Sequence, residues 1–219
     1  MKKSWTIGLL VIIIVAFGVM WLASKPANPS LSEDGAEKSE IEITPQDHIK
    51  GAGENARVTI VEWSDFQCPA CQTYYPVLSQ LVEDFPSDVR VIYRHFPLRQ
   101  IHANANNSAL VSEAAALQGK FWEMHNALFD NQEEWSGSRD IAFFDKYASA
   151  IGLDIEKYKT DLKSEAAADK VANDLKEALR LNLNSTPTMF VNGKKIANPN
   201  SYQEFVDLIA KEITPEVVQ

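Results

Sequence analysis

The chain has 219 residues, enough for one sizeable domain with appendages, and 45% of them are apolar, as a globular core requires. Its formal charge of −9 argues against a nucleic-acid binder, whose phosphate contacts rely on a net basic face. An acidic balance otherwise indicates little beyond solubility.

Residues 1–5 carry Lys2 and Lys3, and the run from Thr6 to Ala23 holds no charge. Eighteen residues at helical rise span about 27 Å, close to the hydrocarbon thickness of a bilayer. Trp5 and Trp21 bracket the run where indoles favour the interface, and the two lysines put the N-terminus on the cytoplasmic side. Residues 6–23 are therefore expected to be a transmembrane signal anchor with the remainder extracytoplasmic. The competing reading is a cleaved signal peptide, for which Leu22-Ala23-Ser24 is a poor site. Residues 24–40, rich in Pro, Ser and Glu, read as a flexible tether, because they bury too little apolar surface to offset ordering entropy.

Ordered structure is expected from 41 to 219. Val58-Thr59-Ile60-Val61-Glu62-Trp63 is β-branched and nearly all apolar, the pattern of a buried strand. A short turn leads to Cys68-Pro69-Ala70-Cys71, which opens a helix reaching about Phe85, with a kink expected near Pro76. Val89 to Phe96 reads as a second strand, completing a βαβ unit. Residues 101–181 read as a helical block. Thr188–Val191 and Lys194–Ile196 then flank Asn192-Gly193, a strong hairpin turn, and Ser201 with Glu204 marks the start of a last helix. The plan is βαβ, an inserted helical block, then ββα.

The chemistry resides in the cysteine pair. The first backbone N–H groups of a helix lack internal partners and present partial positive charge. A cysteine at that position has its thiolate stabilised, with a pKa brought from about 8.5 into the range of roughly 3.5–7.5. Cys68 falls at the N-cap with Pro69 at the first helical position, so it is the exposed, attacking sulfur. Cys71, one turn on, is the resolving one. Three other readings stand beside this one: half of a zinc site, a structural disulfide, or two inert thiols. Zinc requires four ligands, and His48, His95, His102 and His125 show no second paired spacing, so no metal is expected. A structural disulfide over so short a loop would remove little chain entropy.

The stretch from Val58 to Cys71 resembles the active-site region of DsbA-like members of the thioredoxin superfamily. Asp47-His48-Ile49-Lys50-Gly51 is similar to their lead-in, and Gln118 to His125 to a stretch of their helical insertion. Thr186-Pro187-Thr188-Met189-Phe190-Val191-Asn192-Gly193 is similar to their cis-proline loop. The resemblance covers about residues 47–213 and implies an α/β thioredoxin fold with an all-helical insertion. It also implies that Pro187 is cis beside the disulfide, and that the backbone of Thr186 pairs with an extended substrate. Glu62 would be the buried acid that exchanges a proton with Cys71, the alternative being a solvated strand-end glutamate. Asp65 reads as a turn residue, and His95 and His125 as structural.

Two departures stand out. Asn184-Ser185 precedes Thr186-Pro187 where a glycine is usual, and the Pro69-Ala70 dipeptide lacks a histidine that would add positive charge. The expected activity is protein thiol–disulfide exchange without cofactor beyond the Cys68–Cys71 disulfide. Its substrates would be exported thiol proteins, reoxidation would come from a DsbB- or VKOR-type membrane partner, and the protein would be a monomer without a dimerisation module. Alternatives are a reductase or isomerase on the same fold, or a binding or holdase module without redox turnover.

Overall fold

The computed structural model describes residues 41–138 and 142–214. The expected anchor and tether lie outside these residues; among those described, no helix is long and apolar enough to cross a membrane. In chain order the elements are β1 (His48–Gly51), β2 (Val58–Ser64), α1 (Pro69–Asp84) and β3 (Val89–His95). A helical block follows: α2 (Ala105–Ala116), α3 (Phe121–Asp130), α4 (Gln132–Ser136), α5 (Ala142–Ala150), α6 (Ile155–Asp161) and α7 (Glu165–Arg180). The chain then returns to β4 (Thr188–Val191), β5 (Lys194–Lys195) and α8 (Tyr202–Ile213).

The strands lie in the order β1-β3-β2-β4-β5. β2 runs parallel to β3, as a βαβ crossover requires, and antiparallel to β4. Because β2 is paired on both edges and covered on both faces, nearly every residue of it is buried, which is why it reads as a continuous apolar run. Alternation along the strand sends Val58 and Ile60 toward α1 and α8, where they meet Leu78, Leu81, Phe205 and Ile209. Val61 and Trp63 face the other way and pack with Ile92, Phe190 and Ala178 of α7. The third cluster joins the insertion to the cysteine corner: Phe66, Cys68, Cys71 and Tyr93 pack with Phe121, Met124, Phe129 and Trp135.

The βαβ–insertion–ββα plan is therefore observed, with one strand beyond it. β1 pairs antiparallel with β3, His48 opposite Tyr93 and Gly51 opposite Arg90. Four residues alternating half-buried and exposed carry too weak a pattern to announce a strand. Gly51 closes it at φ +99°, where a Cβ would stand 2.5 Å from the carbonyl oxygen of Val89, so only glycine fits. α1 continues through Pro76 as one helix. The 192–193 turn has positive φ at both central residues, the hairpin geometry that Asn-Gly favours. Ser201 caps α8 by accepting from the Glu204 amide, while the Glu204 carboxylate accepts from the Asn200 amide.

The lead-in is locked by a buried ion network. Arg94 of β3, 1% exposed, donates to both oxygens of Asp47, at 2.9 and 2.7 Å, and to Glu177 of α7. A charge so deeply buried is tolerated because it is paired. Asp47 thus serves to fasten the segment before β1 to both the sheet and the insertion.

Candidate active site

The turn between β2 and α1 is set by Asp65, whose side chain is fully buried. Its backbone carbonyl accepts from the Cys68 amide at 2.9 Å, and Oδ1 accepts from the Gln67 amide at 2.8 Å. Oδ2 accepts from the Leu98 amide at 2.9 Å and pairs with His102 Nδ1 at 2.7 Å. More than a turn residue, Asp65 ties the cysteine loop to the segment after β3. The insertion holds the same loop from the other side. Gln132 Nε2 donates to the carbonyls of Phe66 (2.7 Å) and Cys68 (3.0 Å), while Gln67 Oε1 accepts from the Asn104 amide at 2.7 Å. The two bonds within the turn fit the turn role expected of Asp65, but the long-range contacts were not foreseen. They join residues 33 to 66 apart, a separation that carries no local pattern.

Cys68 occupies the N-cap of α1 (φ −75°, ψ 121°) with Pro69 following, as expected. Both thiols are free and lie within the cluster that joins insertion and sheet, but they differ in access: Cys68 is 7% exposed and Cys71 0%. The Cys68 pKa is brought down from its ordinary 9.0 to about 5. The chief cause is the hydrogen bond from the Cys71 thiol to its sulfur; burial opposes it, and Thr186 and the amides of Cys71 and Ala70 assist. Burial drives Cys71 well above 9.0, reinforced by its hydrogen bond to Cys68 and by the nearby Glu62 carboxyl. The two sulfurs of one short motif are thus strongly differentiated.

Glu62 is 3% exposed and sits on the α1 face of β2, so it is not a solvated strand-end residue. Burial lifts its pKa from 4.5 to about 7; the neighbouring Ser64 opposes the rise and the charge of Cys68 adds to it. Glu62 Oε1, Ser64 Oγ and Tyr93 OH are all buried with no hydrogen-bond partner of good geometry. They cluster around Cys71. Beside them is a cavity of about 10 Å³, near the minimum for one water molecule, lined by Glu62, Tyr93, Lys50, Ser79, Trp122 and His125 among others. His125 is walled by Phe66, Tyr75 and Trp122. Burial drops its pKa to about 3, so it is neutral.

The Thr186–Pro187 peptide is cis, as expected, despite Asn184-Ser185 in place of the usual approach. It faces the cysteines: Cys68 Sγ stands 3.5 Å from the Thr186 carbonyl oxygen, to which it donates only in its thiol form, and the Thr186 hydroxyl, which has no partner of good geometry, stands beside the sulfur. The loop is fastened by Thr188 Oγ1 donating to the Ser185 carbonyl (2.8 Å) and Asn198 Nδ2 to the Pro187 carbonyl (2.8 Å). Cys68, Cys71, Pro69, Ala70, Glu62, Thr186 and Pro187 therefore occupy one corner of the molecule.

A thioredoxin-like sheet with a helical insertion between its halves, and a cysteine pair facing a cis-proline, defines the class of DsbA-like thiol–disulfide oxidoreductases. The chain belongs to the Thioredoxin_4 family, described as thioredoxin, whose profile matches residues 43–211. Among solved structures, it is similar to oxidised BdbD of Bacillus subtilis. The two share 26% identity with a TM-score of 0.67, over 76% of this chain and 92% of that one. A thioredoxin-like oxidoreductase of Silicibacter pomeroyi DSS-3 is alike at 26% identity and TM-score 0.66, over 77% and 92%. Wolbachia pipientis alpha-DsbA1, at 20% identity and TM-score 0.68 over 77% and 92%, shares the fold. Among curated relatives, the chain is 37% identical over 199 residues to the Na(+)/H(+) antiporter NhaA 1 of Mycolicibacterium gilvum, covering 88% of this chain and 31% of that protein. The chain spans about a third of the length of that relative, so the antiporter name describes a protein most of which lies outside the match.

Proposed function

We propose that this chain is an extracytoplasmic, membrane-tethered protein thiol:disulfide oxidase acting through Cys68 and Cys71. The observation that carries the proposal is the opposed environment of the two sulfurs, with Cys68 at a helix start and low in pKa and Cys71 buried and high.

The oxidised protein carries a Cys68–Cys71 disulfide. A substrate thiolate attacks Cys68 Sγ, the Cys68–Cys71 bond breaks, and Cys71 leaves as a thiolate that takes the proton held by the Glu62 carboxyl. A second thiolate of the substrate then attacks the substrate sulfur of the mixed disulfide and expels Cys68 as a thiolate. The substrate has lost two electrons and gained a disulfide; the cysteine pair has gained them. A leaving thiol of low pKa departs faster, so a Cys68 pKa near 5 accelerates this release. Relative to an ordinary thiol it also stabilises the reduced form at pH 7 by about 2.7 kcal/mol, or ~60 mV, which favours donation of the disulfide. During the reaction the Thr186 backbone would align an extended substrate segment beside Cys68.

The apolar run at 6–23 supports a membrane-held, exported domain. Reoxidation then falls to a membrane quinone reductase of DsbB or VKOR type. Equilibrium titration against glutathione should give a potential well above that of a reductase, and acid trapping of the thiols in cells should find them mainly as disulfide. A predominantly reduced pool would make the protein a reductase or isomerase instead. Full client activity in Cys68→Ser would make it a binding module.

A further inference from the structure

The geometry points to a second site, a divalent metal site of the zinc class formed by His48, His95 and Glu113. These residues come from three separate elements, β1, β3 and α2, and their ligand atoms all lie within 4.8 Å of one another. His48 Nε2 and His95 Nε2 each stand 2.6 Å from the same oxygen, Glu113 Oε1. Two imidazole nitrogens and a carboxylate oxygen are thus aimed at one point inside the protein.

Three features fit a metal ion. The donor set is two imidazoles and a carboxylate, which suits zinc and its neighbours, whereas calcium and magnesium prefer all-oxygen sites. Exposure is one-sided: the side chains of His95 and Glu113 are 1% and 6% exposed, while that of His48 is 14% exposed, so the cluster meets solvent on the His48 side. The His48 ring is also held in place by stacking on Phe121, with centroids 3.5 Å apart and planes 8° from parallel. In a tetrahedral site with bonds of about 2.0–2.1 Å, ligand atoms stand roughly 3.3 Å apart, so the 2.6 Å contacts would open by about 0.7 Å. The carboxylate brings one negative charge into a buried place, and a dication there would compensate it.

Such an ion would tie the sheet edge to the first helix of the insertion. It would lie behind Phe66 and Tyr93, the aromatic pair under the cysteine loop, since His95 is 6.0 Å from the ring of Phe66 and 5.2 Å from that of Tyr93. Its role would be structural and separate from the thiols.

The test uses the full chain with Cys68 and Cys71 kept as the disulfide, so that no thiolate can bind metal, titrated with zinc alone. One zinc per chain is expected to bind, raising the thermal midpoint in proportion to the logarithm of its concentration. Calcium and magnesium should have no such effect. His48→Gln keeps a hydrogen-bond donor opposite Glu113 but removes a ligand, and should weaken zinc at least tenfold. Cobalt(II) bound to the unmodified chain should show the visible absorption of a low-symmetry nitrogen–oxygen site, a reading that depends on no variant. Absence of zinc binding in the oxidised wild-type chain, or binding by His48→Gln and Glu113→Gln as tight as by the wild-type chain, would leave the cluster a hydrogen-bonded strut only and overturn the inference.

Discussion

Glu62 and Glu113 are both buried, on neighbouring parts of the molecule, and their environments push them in opposite directions. Glu62 lies beneath Cys71 with an unpartnered oxygen, and burial lifts its pKa to about 7. Glu113 is held by His48 and His95; burial raises it too, but the two hydrogen bonds outweigh that and bring it down to about 2. Burial alone therefore does not make a proton carrier. The partners decide: a buried carboxyl left without one keeps its proton near neutral pH and can exchange it, while one held by two imidazoles stays ionised and serves as a strut or a ligand.

The difference predicts opposite pH dependences of stability. Glu113 has a depressed folded pKa, so its contribution is complete above the unfolded value of 4.5 and vanishes as pH falls through 2. Glu113→Gln in metal-free protein should lose about 3 kcal/mol at pH 7 and progressively less toward pH 2. Removing one partner of a buried charged pair is known to be that damaging. Glu62 has a raised folded pKa: below 4.5 both states are protonated, and as pH rises to 7 only the unfolded state releases the proton, so the native state is progressively penalised. Glu62→Gln should therefore stabilise the reduced protein by up to about 3 kcal/mol at pH 8 and by nothing at pH 4. Urea unfolding of both variants across pH 3–8 checks the pair, and parallel profiles would break the comparison. The same Glu62→Gln change should slow formation of the mixed disulfide, the step in which Cys71 leaves and takes up a proton, by about 10²-fold or more, read by stopped-flow with a thiol peptide.

The contrast was half visible in the sequence. Glu62 stood out because it is charged within an apolar strand six residues before Cys68. The strand, the helix start and the Thr186-Pro187 loop were equally plain, since each depends on local pattern or a short motif. Glu113 was not, because Ser112-Glu113 in an alanine-rich helix looks like an ordinary surface pair, and its partners lie 65 and 18 residues away. His95 could only be set aside as structural for the same reason, and His48 stood only as part of the lead-in segment. β1 was missed because four alternating residues are too few for periodicity to speak, and Asp65 passed for a turn residue because its partners, Leu98 and His102, come from beyond β3. What local chemistry determines was readable; what the sheet brings together was not.

Smaller effects test how the cysteine corner is assembled. Thiolate absorbance of the reduced protein should titrate Cys68 with a midpoint near 5. In Cys71→Ala the midpoint should rise, because the leading cause of the depression is the hydrogen bond from Cys71, and in Thr186→Val it should rise by less. The reverse order would mean that the cis-proline loop, rather than the resolving thiol, sets the reactivity of Cys68. The smallest change is expected at His102, which meets the buried Asp65 from the half-exposed side at 2.7 Å. His102→Ala removes one of several hydrogen bonds to that carboxylate while the Leu98 and Gln67 amides remain, so a loss of about 1 kcal/mol is expected. A loss several times larger, or a shifted Cys68 midpoint in this variant, would mean that Asp65 and His102 act on the thiol itself as well as on the loop that carries it.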